Sequence, residues 1–262
     1  VEALETVVSG LRAAGKFAFD TETTGTDPMN SDLVGISFSA SHGVAYYVPL
    51  GHREGRQIPL QVAIDILKPL FEDHNLVGIA HKATFDLIVL RNNGIKVANV
   101  LFDTMVAAQI TGHNTIGLKQ LSFQLLNEEM TPISELIGRG AKQTTMANVP
   151  IADATRYAAA DADMTSRLHA VLQKELRSHE VQVLFDEVEM PLVPVLVLMQ
   201  CNGIAVDSDK LQAMSSALIV EVEGLATAAL GAARVLVRAV ARLRGVTGAV
   251  AGLGARGGGR VG

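Results

Sequence analysis

The sequence has no tryptophan, one cysteine (Cys201) and only 4% aromatic residues among 262 positions. A single cysteine cannot pair within the chain, so a disulfide framework is excluded and a reducing compartment is the default. The seven histidines are scattered without the spacing of a zinc site. No uninterrupted apolar run reaches the roughly 18 residues that a bilayer span needs. The strongest candidate, Met190 to Met199, is short and broken by Pro191 and Pro194. Residues 1–15 hold Glu2, Glu5 and Arg12 and lack the apolar stretch of a signal peptide.

What is present is a folded composition, 48% hydrophobic and 19% charged. The length suits one large domain, or one domain with part of another. The net charge of −5 conceals an asymmetry: residues 231–262 hold six arginines and no acidic residue, so 1–230 carries −11. An acidic body does not bind nucleic acid through bulk positive charge. It is compatible with an acidic cluster that meets phosphate through metal ions. Val1 does not read as a natural start, because the first strand is expected almost at once. The chain reads as a fragment of something longer.

Lys16 to Asp20, Leu33 to Ser39 and Gly43 to Val48 read as strands of an antiparallel meander. Helices are expected over Pro59–Glu72, with Pro69 kinking its last turn, and over Thr84–Asn93, Asp103–Ile110, Leu118–Leu126 and Pro150–Leu176. Asn75 to Ala80 reads as a buried strand between the first two. More helices follow at Val181–Gln200 and Asp209–Ala229. Strands first, with helices around them, imply a mixed, covered α/β sheet. After Leu230 the chain is almost wholly Gly, Ala, Val and Arg, and residues 231–262 are expected to be a disordered, atypical tail.

Asp20-Thr21-Glu22 ends the first strand, where alternation points Asp20 and Glu22 to one side. Two carboxylates so placed repel unless something positive lies between them. Tyr157 and Asp161 share a helix face at i and i+4, and the intervening alanines keep that turn slim. Asp163 faces elsewhere and reads as surface or supporting. Phe85-Asp86 follows the later strand. Asp103 reads as a plain helix N-terminal acid, and the histidines other than His81 read as core or surface groups. Each of these has a bland reading as a solvated acid or a core aromatic.

The ordered set, D-T-E on a first strand, F-D after a later strand and Y-x-x-x-D on a late helix, resembles the DEDD superfamily of 3′→5′ exonucleases, in its tyrosine branch. The likeness extends through FAFDTETTGTDPMNSDLVGISFS, LFDTMVAAQI, ELIGRGAKQTT and RYAAADADMT. Over roughly residues 15–180 it is to the proofreading domains of bacterial family A DNA polymerases. EVEMPLVPVLVLMQCNGIAVD is similar to the start of a polymerase module in those enzymes, a sequel that RNase D-like relatives lack.

The resemblance implies an RNase H-like mixed sheet flanked by helices, with an exonuclease domain at 1–180 and the beginning of a truncated polymerase module at 181–230. It implies two divalent ions, Mg²⁺ or Mn²⁺, one held by Asp20, Glu22 and Asp161, the other by Asp20 and Asp86, with Tyr157 and Glu22 orienting the attacking water. It places Thr26, Lys82, Phe85 and Ile133 at the substrate. The expected partner is DNA with a single-stranded or frayed 3′ end, alongside the missing polymerase module, in the bacterial cytoplasm near the nucleoid and with no membrane. Two positions depart from the pattern. Thr26 is smaller than the usual apolar residue, and Lys82 replaces an Asn, so it would either grip phosphate or repel the second ion. A silent exonuclease-fold DNA-binding module and an RNase D-like RNA exonuclease are the alternative readings.

Overall fold

A computed structural model describes residues 1–98 and 100–254 of the chain. A helix, α1 (Glu2–Ala14), precedes the first strand, contrary to expectation. Its Leu4, Val8 and Leu11 are buried on one face, and it stops at Gly15, whose φ of 71° supplies a left-handed cap. The sheet has five strands: β1 (Lys16–Thr23), β2 (Leu33–Ser41), β3 (Val44–Pro49), β4 (Val77–Ala80) and β5 (Val100–Asp103). Their order is β3-β2-β1-β4-β5, with β1 central. The expected meander is present, β1–β2 and β2–β3 being antiparallel, while β4 and β5 run parallel to β1. The sequence reading missed β5, a strand of four residues running straight into the next helix.

The helices that follow are α2 (Leu60–Phe71), α3 (Ala83–Asn92), α4 (Thr104–Ile110), α5 (Leu118–Leu121), α6 (Ile133–Ile137), α7 (Ile151–Ser178), α8 (Gln182–Leu184), α9 (Met190–Asn202) and α10 (Ser208–Gly254). A π-helical turn, Ser122–Leu126, continues α5, and another, Phe185–Glu189, joins α8 to α9. On one side of the sheet Phe17, Phe19 and Phe38 surround Phe71 of α2, with ring centroids 5.1 to 5.9 Å from it. All four rings are fully buried. On β1 the alternate residues Ala18, Asp20 and Glu22 face the other way. Helix α7 packs across β1, β2 and β3, burying an i, i+4, i+8 stripe of Ala154, Ala158 and Ala162.

The chain divides into two compact units, the first of which closes at Gly203. The reason is apolar packing: Phe185, Met190, Val193 and Val197 belong to the main core. The second unit, from Ile204, contains α10. The stretch expected to be a disordered tail is helical as far as Gly254, because Ala, Leu and Arg favour helix and no proline lies beyond Pro194. Residues 255–262 lie outside the described residues. Ser208–Leu236 of α10 is also long and apolar enough, by length and composition, to cross a membrane. No uninterrupted apolar run is involved, because Glu221, Glu223 and Arg234 interrupt the stretch.

Replacing Phe71 by Ala removes the ring at the centre of four. Unfolding by urea is expected to show a loss of about 3–5 kcal/mol. Phe123→Ala, at a ring that is 54% exposed, is expected to stay within about 0.5 kcal/mol of the parent.

Candidate active site

Topology brings the acidic residues together. In the parallel β1–β4 pair Ala18 lies opposite Ile79, so β4 ends beside the part of β1 that leads into Asp20. Helix α3 starts three residues after β4 and carries Asp86 in its first turn. The Asp86 carboxylate accepts hydrogen bonds from the Thr21 amide at 2.9 Å and the Thr21 hydroxyl at 2.6 Å. On the other side of β1 the alanine stripe lets α7 come close enough to present Tyr157 and Asp161. A bulge marks the place: Glu22 pairs with Gly35 and Thr23 with Leu33, which leaves Val34 unmatched. Gly35 is required there, because a Cβ would lie 2.2 Å from the Tyr47 hydroxyl.

Asp20, Glu22 and Asp161 each offer a carboxylate oxygen, and the three oxygens lie within 4.8 Å of one another. With Asp86, Tyr157, Thr21, His81, Lys82 and Phe85 they line one cleft of about 220 Å³. Crowding and burial show in the acidities. Burial first, then the charges of Asp86, Glu22 and Asp161, holds the Asp20 carboxyl well above the usual range. Burial, then Asp161 and Asp86, pushes Glu22 up to about 8. Asp86 rises to about 7 through burial, restrained by its two Thr21 hydrogen bonds. Asp161 reaches about 6, raised by burial and restrained by Lys119. The Tyr157 phenol is driven far upward by burial and by the same carboxylates, so it keeps its proton and serves as a donor.

Three fastenings hold this geometry. The Asp103 carboxylate accepts from the amides of Lys82 (3.1 Å), Ala83 (2.7 Å), Met105 (2.8 Å) and Val106 (3.3 Å), so one side chain ties down the starts of both α3 and α4. The Tyr47 hydroxyl and His52 Nε2 are 2.8 Å apart, and His52 Nδ1 lies 2.9 Å from the carbonyl of Val149, just ahead of α7. That relay links β3 to the helix bearing Tyr157 and Asp161, around a small second core of Val34, Met146, Ala147, Val149, Ala154 and Tyr157. The third is Lys119, whose Nζ donates to the Tyr157 hydroxyl at 3.2 Å and lies 3.8 Å from Asp161 Oδ1.

The structure thus brings together Asp20, Glu22, Asp86, Tyr157, Asp161, Lys82 and Phe85. Thr26 and Ile133 are exposed and do not line this cleft. Lys82 is exposed with φ 68°, and the ammonium paired with a site carboxylate belongs to Lys119 instead. Asp163 accepts from the Gly43 amide at 2.8 Å and steadies the β2–β3 turn. Sequence reasoning missed Lys119 and the Tyr47–His52 relay. Neither sits in a motif, and their proximity to the acids arises only through folding.

The donor set fits a divalent cation. Glu22 Oε1 and Asp161 Oδ1 are buried without a hydrogen-bond partner, and buried oxygens of this kind ordinarily have one. All the candidate donors are hard carboxylate oxygens, the type Mg²⁺ and Mn²⁺ prefer.

A mixed sheet of this order, with acids gathered at the end of its central strand and a helix closing over them, is an RNase H-like fold. Residues 1–177 match the 3′-5′ exonuclease family, and the chain belongs to it. Among curated relatives, DNA polymerase I of Chloroflexus aurantiacus is 44% identical over 213 residues, 80% of this chain and 22% of that protein. DNA polymerase I of Pseudomonas aeruginosa is 35% identical over 216 residues, 79% of this chain and 24% of that one. The chain therefore spans less than a quarter of the length of these relatives. Among solved structures, the polymerase domain of Pol1 from M. smegmatis superposes with a TM-score of 0.64 at 18% identity, covering 82% of this chain and 34% of that one. Escherichia coli RNase D superposes at 0.60 with 20% identity, covering 76% and 49%. Both establish the fold.

The raised acidities set a pH dependence. Glu22, Asp86 and Asp161 titrate at about 8, 7 and 6 in the folded protein, against roughly 4 when unfolded. The native state then binds more protons than the unfolded chain, so metal-free stability falls as pH rises through those values. His81 and His169, both lowered to about 4, act in the opposite sense only below about pH 6.5. Between pH 6.5 and 8.5 in EDTA the thermal midpoint is expected to fall, and Mg²⁺ at pH 8.5 to restore it. A flat or rising profile would contradict the electrostatics described.

Proposed function

We propose that this chain hydrolyses the 3′-terminal phosphodiester of DNA and releases nucleoside 5′-monophosphates. The observation that supports the reading is the meeting, in one cleft of a 3′-5′ exonuclease family member, of Asp20, Glu22, Asp86, Tyr157 and Asp161. Asp20, Glu22 and Asp161 would hold one divalent ion, and Asp20 with the free oxygen of Asp86 a second. Such a pair lowers the pKa of water and neutralises charge on the attacked phosphate and the leaving oxygen.

The remaining work falls to the protein. Tyr157, protonated and buried, donates a hydrogen bond that orients the attacking water, and Glu22 accepts one from its other side. Thr21 keeps Asp86 in place. Lys82, exposed at the cleft, is available to the substrate phosphate, and Phe85, Thr26 and Ile133 are assigned to the terminal nucleotide. The narrow cleft favours a frayed 3′ end, because a mismatched terminus costs less to unpair. In this reading residues 181–230 begin a polymerase module whose remainder lies outside this chain, and the setting is a bacterial cytoplasm close to DNA.

A 5′-labelled oligonucleotide incubated with Mg²⁺ is expected to shorten from its 3′ end. Asp20→Ala and Asp161→Ala are each expected to lower the rate by more than about 100-fold, since even supporting residues of metal sites are worth about 10–100-fold. The folded content by circular dichroism should be retained. An Asp20→Ala protein as active as the parent refutes these assignments. No shortening by the parent with Mg²⁺ or Mn²⁺ favours the silent module, and equal trimming of RNA favours the RNA exonuclease.

A further inference from the structure

Besides Lys82, which lines the cleft, a second cation stands against its carboxylates without belonging to any of the motifs above. Lys119 lies in α5, and its Nζ donates to the carbonyl of Thr131 at 2.6 Å and to the Tyr157 hydroxyl at 3.2 Å. It lies 3.8 Å from Asp161 Oδ1 and 4.4 Å from the centroid of the Tyr157 ring. These contacts fix the ammonium: the Thr131 carbonyl holds it from outside, the ring lies beneath it, and the carboxylates lie ahead. The pair with Asp161 is too long for a hydrogen bond, so Asp161 Oδ1 keeps its lone pairs free. Lys119 therefore supplies positive potential without occupying the carboxylate oxygens.

We propose that Lys119 is a positioning residue of the cleft, which holds the Tyr157 hydroxyl beside Asp161 and serves as counter-charge to the carboxylates, in competition with the divalent cation. The inference rests on the nuclease reading above and adds a regulator of metal occupancy to it. It has a double consequence. With the ammonium in place, the empty cluster is tolerated and metal binding is weakened. Without it, the acids repel more strongly and bind a divalent cation more tightly, while the tyrosine hydroxyl loses its donor.

The test compares the parent chain with Lys119→Met and Lys119→Arg, using Mn²⁺ alone as probe at pH 8. Methionine keeps the length and apolar stem and removes the charge. Isothermal titration is expected to show Mn²⁺ binding to Lys119→Met tighter by about three- to fivefold, the scale of a partly exposed ion pair. Its thermal midpoint in EDTA is expected to lie below the parent's and to recover most of the difference when Mn²⁺ is added. With single-stranded DNA, kcat should fall while KM stays near the parent value. Lys119→Arg should keep the parent's Mn²⁺ affinity within about twofold and restore the midpoint in EDTA. Loss of stability that Mn²⁺ does not recover would reduce Lys119 to a packing residue and overturn the inference. So would an unchanged Mn²⁺ affinity in Lys119→Met. A parent that binds no Mn²⁺ overturns the nuclease reading together with this inference, whereas a parent that binds it with Lys119→Met indistinguishable overturns the inference alone.

Discussion

Negative charge concentrated in a poorly solvated space is the constraint on which this architecture turns. Four carboxylates, from Asp20, Glu22, Asp86 and Asp161, line one small cleft. Carboxylates brought close together away from water repel strongly, and left to themselves they move apart or take up protons. Here they cannot move apart. Asp20 and Glu22 are set by the central strand of the sheet, Asp86 by two hydrogen bonds to Thr21, and Asp161 by a helix laid across three strands. The response is the other one, a general rise in pKa. Buried acceptors without partners are what a cation site looks like from the protein's side.

The rigidity that this requires comes from two places. The aromatic cluster of Phe17, Phe19, Phe38 and Phe71 fixes the sheet against α2 and so fixes β1. The small core beneath Tyr157 fixes α7, with the Tyr47–His52–Val149 relay closing its edge. The second core is thin, and it depends on small residues. Gly35 leaves room for the Tyr47 ring, and Ala154, Ala158 and Ala162 let the helix approach the strands. A larger side chain at any of these would separate Glu22 from Asp161, although none of them touches the chemistry.

The sheet meander, most helix positions and the acidic residues of the cleft were legible in the sequence. Short apolar strands bounded by turn residues and helices with apolar stripes carry their pattern locally, and the acids stand in short motifs of fixed order. What was not legible has a common physical basis. β5 is four residues long and has no period of its own. The closing of the first unit at Gly203 is decided by Phe185, Met190, Val193 and Val197 packing on a core built from distant residues. Asp103 was correctly read as a helix-terminal acid, but its hold on the amides of Lys82 and Ala83 depends on β4 and β5 lying side by side. Lys119 is an ordinary helix lysine until α5 is set against α7.

Lys82 shows how such a structure separates what the fold needs from what the chemistry needs. Its backbone has φ 68° and ψ 51°, a left-handed conformation that Asn adopts readily and Lys does so at a cost of about 1 kcal/mol. The helix start accepts that cost because the position contributes its amide, not its side chain: the N–H still reaches Asp103 at 3.1 Å. The Asp86 carboxylate, one turn further on, is therefore placed by backbone geometry that Lys preserves. The side chain is left exposed at the mouth of the cleft, and the pairing with Asp161 belongs to Lys119. A substitution that looks as if it should disrupt a metal site by charge thus falls at a position where the backbone does the structural work, and its side chain stays exposed.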